Sequence, residues 1–200
     1  ALVGVANGTV SGGVDVTTST VEASSTAVEE DGQSANAGGL AGWLTSTGSM
    51  TNTSFTGTVT ATTADLSYAG GIVGQNSGSI SDANSDAVVT ASSGLGSVYA
   101  GGIAGFNEGS VEFGYADGQV DAVTIPDPLG VDTLRNAYAG GVAGLSLGSG
   151  NLSDVVSFGT EEADGQNAFA GGIAGLADDP NVDAYTTGQV SALTYSKFSI

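Results

Sequence analysis

The feature that most constrains this chain is an internal repeat. Ala-Gly-Gly-aliphatic-small-Gly opens at Ala37, Ala69, Ala100, Ala139 and Ala170, at spacings of 32, 31, 39 and 31 residues. A sixth, clipped copy opens the chain, with Ala1 standing where Gly71 stands in the third unit. Each unit reads as three short segments: "YAGGIAG", a Gly-Ser-aliphatic step, and an alternating stretch such as "GTVTA" or "GQVDA". Alternation at period 2 turns one face of a strand inward. Three aliphatic columns follow: Leu2, Leu40, Ile72, Ile103, Val142 and Ile173; Val10, Met50, Ile80, Val111, Leu152 and Val182; and Val14, Val59, Val89, Val120 and Val190. One unit cannot bury such columns alone, but stacked units make them a continuous core. The expected fold is all-β, a parallel β-solenoid (three-sided β-helix) of about six rungs. It forms one domain over 1–200, with units near 1–36, 37–68, 69–99, 100–138, 139–169 and 170–200. Rungs about 4.8 Å apart give a stub roughly 25–30 Å long.

Composition supports this reading and narrows the function. The 34 Gly, with abundant Ser and Thr, make a poor helix former. With no His and no Cys, imidazole and thiolate metal sites and any His general base are excluded. Arg135 and Lys197 are the two basic residues against 21 acids, a formal charge of −19. Such a chain cannot neutralise a phosphate backbone, so no nucleic-acid partner is expected. No apolar run approaches the ~20 residues of a membrane span. The acidic excess resembles proteins of salty habitats, soluble but self-repelling until salt screens the charge.

If Ile72 points inward, strand alternation puts Ala100, Gly102 and Ala104 outward. Their counterparts Ala139, Gly141 and Ala143 follow, giving a flat strip of small residues on which another segment or molecule could lie. Insertions are expected at one corner, at Glu22–Gln33, Ile125–Arg135 and Glu161–Gln166. The fifth unit, "GTEEA", breaks the third column.

"AGGIVGQNSGSISDANSDAVVTASS" and "AGGIAGFNEGSVEFGYADGQVDAV" resemble the GLUG repeat. Gly70, Gly71, Ile72, Gly74, Asn76, Gly78 and Ile80 carry the resemblance in the third unit. Gly101, Gly102, Ile103, Gly105, Asn107, Gly109, Val111, Tyr115, Gly118 and Val120 carry it in the fourth. The likeness weakens in the fifth and sixth units, where the Asn is lost. It implies a secreted or cell-surface solenoid and carries over no catalytic residue.

Asp82, Asn84 and Asp86 alternate like the first half of a calcium loop, and Asp178, Asp179 and Asp183 cluster in "ADDPNVD". They are the candidates for structural Ca²⁺, but the Gly and distal Glu of an EF-hand are absent, so the expected reading is a solvated acidic turn and no cofactor. Nothing singles out a catalytic carboxylate pair, and a non-enzymatic chain is expected. Asn7, Asn52 and Asn151 head Asn-x-Ser/Thr sequons and are candidates for glycosylation.

The ends suggest the work. The chain opens inside a rung without Met and closes where another "YAGG" would follow, as a processed subunit or an excised segment does. Exposed rungs need caps or partners. Leu2 and Val3 at one end, and Val190, Leu193, Tyr195, Phe198 and Ile200 at the other, are the expected interface of a head-to-tail homopolymer. The expected function is a structural subunit of an extracellular filament or sheath. The alternative is a stalk or ligand-binding segment of a large cell-surface adhesin, with glycans among its ligands.

Overall fold

A computed structural model describes residues 2–25, 34–125, 135–148, 150–178 and 182–194. The first rung supplies β1 (Val3–Ala6) and β2 (Thr9–Ser25). The second supplies β3 (Ser34–Gly38), β4 (Ala41–Leu44) and β5 (Ser49–Thr63). The third supplies β6 (Leu66–Gly70), β7 (Val73–Asn76) and β8 (Ser79–Ser93). From the fourth onward the long strand is interrupted: β9 (Val98–Gly101), β10 (Ala104–Asn107), β11 (Ser110–Ala116) and β12 (Gln119–Thr124). The fifth rung holds β13 (Asn136–Gly140), β14 (Ala143–Ser146), β15 (Asn151–Ser157) and β16 (Thr160–Gly165). The sixth holds β17 (Asn167–Gly171), β18 (Ala174–Ala177), β19 (Val182–Thr186) and β20 (Gln189–Thr194). The described residues contain no helix.

Strands pair in parallel with their equivalents one rung away, and this defines a parallel β-solenoid. The first face stacks β3, β6, β9, β13 and β17. The second stacks β1, β4, β7, β10, β14 and β18. The third and widest runs from β2 through β5 and β8 to β11–β12, β15–β16 and β19–β20. This division differs from the three segments expected. The chain turns inside "AGGIAG", between β6 and β7, while the Gly-Ser-aliphatic and alternating segments share the third face.

The glycine pair explains that turn. A Cβ on Gly70 would collide with the carbonyl oxygen of Val73 in its own rung, and one on Gly71 with that of Gly102 in the next. Gly101 and Gly102, and Gly140 and Gly141, meet the same two obstacles. One glycine lets the chain fold back and the other lets rungs close to sheet spacing.

The turn also resets alternation, so the outward strip of small residues does not exist. Ala69, Ala100, Ala104, Ala139 and Ala143 are fully buried. An aromatic ladder, Tyr68, Tyr99, Tyr138 and Phe169, occupies the alternate positions of the first face, with centroids 5.0, 5.1 and 4.9 Å apart and near-parallel rings. Parallel in-register pairing places like residues one rung apart, which is why the rings stack.

The first two aliphatic columns hold in register. Val10, Met50, Ile80, Val111, Leu152 and Val182 are successive partners. Leu40, Ile72, Ile103 and Val142 are fully buried. Each such side chain contributes about 1.5–3 kcal/mol. The third column differs at two places. Val21, not Val14, pairs with Val59, because β2 carries extra residues at two register shifts and Val14 falls opposite Thr53. In the fifth rung "TEEADG" is strand β16, not an insertion, and Glu161 takes the valine position between Val120 and Val190.

A left-handed residue kinks the third face in successive rungs: Asn52, Asp82, Phe113 and Asp154, all with φ of 52–54°. It shifts alternation by one, so that Ile80 and Ala83 both point inward. Asn and Asp tolerate this conformation better than other non-glycine residues, and Phe113 is the costly member.

Candidate functional site

Among the described residues, the strands of the two end rungs are paired on one side only. At one end β1, β2 and β3 are edge strands, and at the other β17, β18, β19 and β20. Unpaired edges offer rows of N–H and C=O groups to a further strand. Leu2 is 58% exposed and heads the column continued by the buried Leu40; Val3 pairs with Ala41 and is half covered. Val190 is 49% exposed and ends the third column. Leu193 pairs with Asp164 and sits in an outward column, on the flank of the edge rather than across it. Tyr195, Phe198 and Ile200 lie outside the described residues.

Asp82, Asn84 and Asp86 sit on strand β8 rather than on a turn. Asp82 is the left-handed residue of β8 and accepts a 3.1 Å bond from Ser81 Oγ, with Asn84 and Asp86 outward after it. Asp178 follows β18, Asp183 lies in β19, both are exposed, and Asp179 lies outside the described residues. Among the described residues no three His, Cys, Asp or Glu side chains are placed to hold a metal ion. Of the sequon residues, Asn7 and Asn52 are exposed, whereas Asn151 is half-buried with its Oδ1 enclosed.

Two buried polar features were not read from the sequence. Asn76 donates from Nδ2 to Asn107 Oδ1 at 2.7 Å, and Asn107 donates to Ser146 Oγ at 3.1 Å, all three fully buried. Asn76 Oδ1 also accepts from Gly78 N at 3.0 Å, closing the corner before β8. That bond gives the Asn-x-Gly spacing of the repeat its physical reason. Second is Glu161. It is fully buried, and its Oε1 accepts from Ser157 Oγ at 3.1 Å. Its Oε2 has no hydrogen-bond partner. Burial pushes this carboxyl up to about 6, with the Ser157 hydroxyl acting in the opposite direction. Arg135 is also buried, and its Nη1 donates to Ile125 O at 2.8 Å, tying the two ends of the 125–135 segment.

Outside, the third face displays two neighbouring columns. One runs Asp15, Ser54, Asn84, Tyr115, Val156, Tyr185. The other includes Thr56 and Asp86, with Asp117 and Phe158 next along it. Tyr115, Phe158 and Tyr185 are all solvent-facing, with ring contacts of 5.6 and 6.2 Å.

Comparison with curated proteins and with solved structures returned no match. A family model does match, over residues 33–60, on the second unit and not on the third and fourth that carry the resemblance most visibly. That stretch covers β3, β4 and most of β5, and it has Leu44 where the third unit has Asn76. The motif is associated with extracellular and surface proteins. Residues 33–60 match the GLUG motif, and in this chain that stretch forms one rung of a parallel β-solenoid.

Proposed function

We propose that this chain is a structural, non-enzymatic element of an extracellular filament or sheath, and that its solenoids stack end to end. The observation that carries the reading is the complementarity of the two end rungs. Both expose parallel edges, and the columns that end at Ile173, Val182 and Val190 are those that begin at Leu2, Val10 and Val21. A further rung added at either end extends the same ladders in the same register. The contact is heterologous, so repetition makes an open fibre. Covering large side chains such as Leu2, Val182 and Val190, each about half exposed, supplies roughly 1 kcal/mol per side chain before ordering and association costs.

The test is sedimentation and electron microscopy of the purified chain at low and molar NaCl. Fibres or concentration-dependent oligomers are expected. Val190→Asp should leave monomers with an unchanged β-sheet signal. A chain that stays monomeric at high concentration in molar salt overturns stacking between copies. The end rungs would then be covered by other parts of a longer polypeptide, as in a stalk or ligand-binding segment of an adhesin. The outward aromatic residues of the third face favour that second reading.

A further inference from the structure

The geometry points to a binding site on the outer surface of the third face for a neutral oligosaccharide running along the solenoid axis. The inference rests on the surface reading above only for access to glycans and does not depend on stacking.

The first observation is a groove of about 400 Å³ over rungs one to four, whose lining includes Asp15, Ser54, Asn84, Asp86, Tyr115 and Asp117. Its lining is hydroxyls, an amide and carboxylates, the mixed donors and acceptors that vicinal sugar hydroxyls need. Two of its carboxylates are held by neighbours. Ser54 Oγ donates to Asp15 at 2.7 Å, and Tyr115 Oη to Asp117 at 3.4 Å. Fixed acceptors fit a ligand with little reorganisation.

The second observation is independent of the acids. From Tyr115 the surface continues into Phe158 and Tyr185, exposed by 37, 41 and 58%. Tyr115 and Tyr185 share one column, separated by Val156. Large rings displayed on consecutive rungs, on a chain that is only 6% aromatic, are not needed by the core. The rings are tilted against one another, at 54° and 69°, so the row offers separate apolar surfaces for the apolar side of successive pyranose rings rather than one flat platform. Polar groove and aromatic row together make one elongated track crossing all six rungs. An open track suits a linear polymer better than a compact ligand, which takes an enclosing pocket.

Charge decides the class of glycan. The groove lining holds three carboxylates and no cation, so sialylated, sulfated or uronic-acid chains are repelled. A cationic peptide is the competing occupant. The hydrogen bonds already made by Asp15 and Asp117, and the hydroxyl and amide groups between them, favour the sugar.

The test is calorimetric titration with cellohexaose and chitohexaose, with oligogalacturonate and a Lys-rich peptide as controls. Binding of at least one neutral hexaose is expected, with none of oligogalacturonate. Tyr115→Ala and Tyr185→Ala should each weaken it by about 3–10-fold, and Tyr115→Phe, which keeps the ring but loses the bond to Asp117, should weaken it less than Tyr115→Ala. Circular dichroism checks that each variant folds, and sedimentation of the same variants reports stacking separately. No binding of either neutral hexaose at millimolar concentration overturns the proposal. So does tighter binding of the peptide, or a hexaose affinity that Tyr115→Ala leaves unchanged.

Discussion

Consider Glu161→Gln and Glu161→Val. The carboxyl stands in a column that is otherwise valine, is fully buried, and has one oxygen without a partner. Its protonation is favoured in the folded state, with the value raised from 4.5 to about 6. The folded protein therefore holds a proton that the unfolded chain releases between those values, and unfolding stability falls as pH rises through that window. Full slope is about 1.4 kcal/mol per pH unit, and partial protonation at both edges limits the total to about 1–2 kcal/mol. The buried oxygen without a partner costs about 1–3 kcal/mol. Glu161→Val should thus stabilise at neutral pH by about 1–3 kcal/mol, less the small void left by the shorter side chain. Glu161→Gln should remove the pH dependence with little change in shape. The assay is urea unfolding of wild type and both variants at half-unit steps from pH 4 to 8. Other acids also titrate there, so the quantity read is the difference between wild type and Glu161→Gln. That difference should be near zero at pH 4 and grow to its plateau above pH 6. A flat difference, or one that grows toward acid pH, would refute the account of a buried charge in the fifth rung.

Four further outcomes follow from the same structure. Ile103→Ala, in the middle of the first column, should lower stability by about 2–5 kcal/mol in urea unfolding, whereas Phe113→Asn, exposed and left-handed, should raise it slightly. Melting temperature should rise from low to molar NaCl, because the formal charge is −19. Tyr68 is raised from 10.0 to about 12 by burial and by its neighbour Tyr99, so stability present below pH 10 should be lost as pH climbs toward 12. Replacing Tyr68 by Phe should reduce that alkaline loss, read as the difference between wild type and Tyr68→Phe in urea unfolding from about pH 9 to 12.

The solenoid was legible because its signal is redundant. Six copies of one glycine pattern set the register of Met50, Ile80 and Val111 without any single strand being certain. What strand alternation could not deliver were its own interruptions. A left-handed residue at Asp82 and a fold-back at Gly70–Gly71 each shift the phase, and neither Asp nor Gly-Gly announces such a shift by composition. Hence Ala100 was placed outside though it is buried. Val14 was placed in a column for the same reason, since two register shifts in β2 move the true member to Val21. Glu161 was read as a break because a carboxylate in a valine column defies the pattern, and only the pairing of β16 with β12 shows the strand persisting. The outer aromatic track spans residues from three units, Tyr115, Phe158 and Tyr185, and although Tyr115 belongs to the repeat pattern, nothing local to any one unit shows that the three rings adjoin.

Strand pairing that reaches only one rung away has a mechanical meaning. A pull on the chain segment of an end rung strips that rung from its single neighbour, while the rungs behind it keep their own pairing. Each rung so released turns a step of about 4.8 Å into a chain of about 31 residues that extends to roughly 100 Å. A solenoid of this design lengthens by some twentyfold per released rung before its covalent backbone is strained. When the load falls, the intact rung behind each peeled strand remains as a template with the register already set. The fold that reads as a rigid stub at rest therefore behaves under tension as a ratcheted spool, giving way in equal increments and rewinding from its own exposed edge.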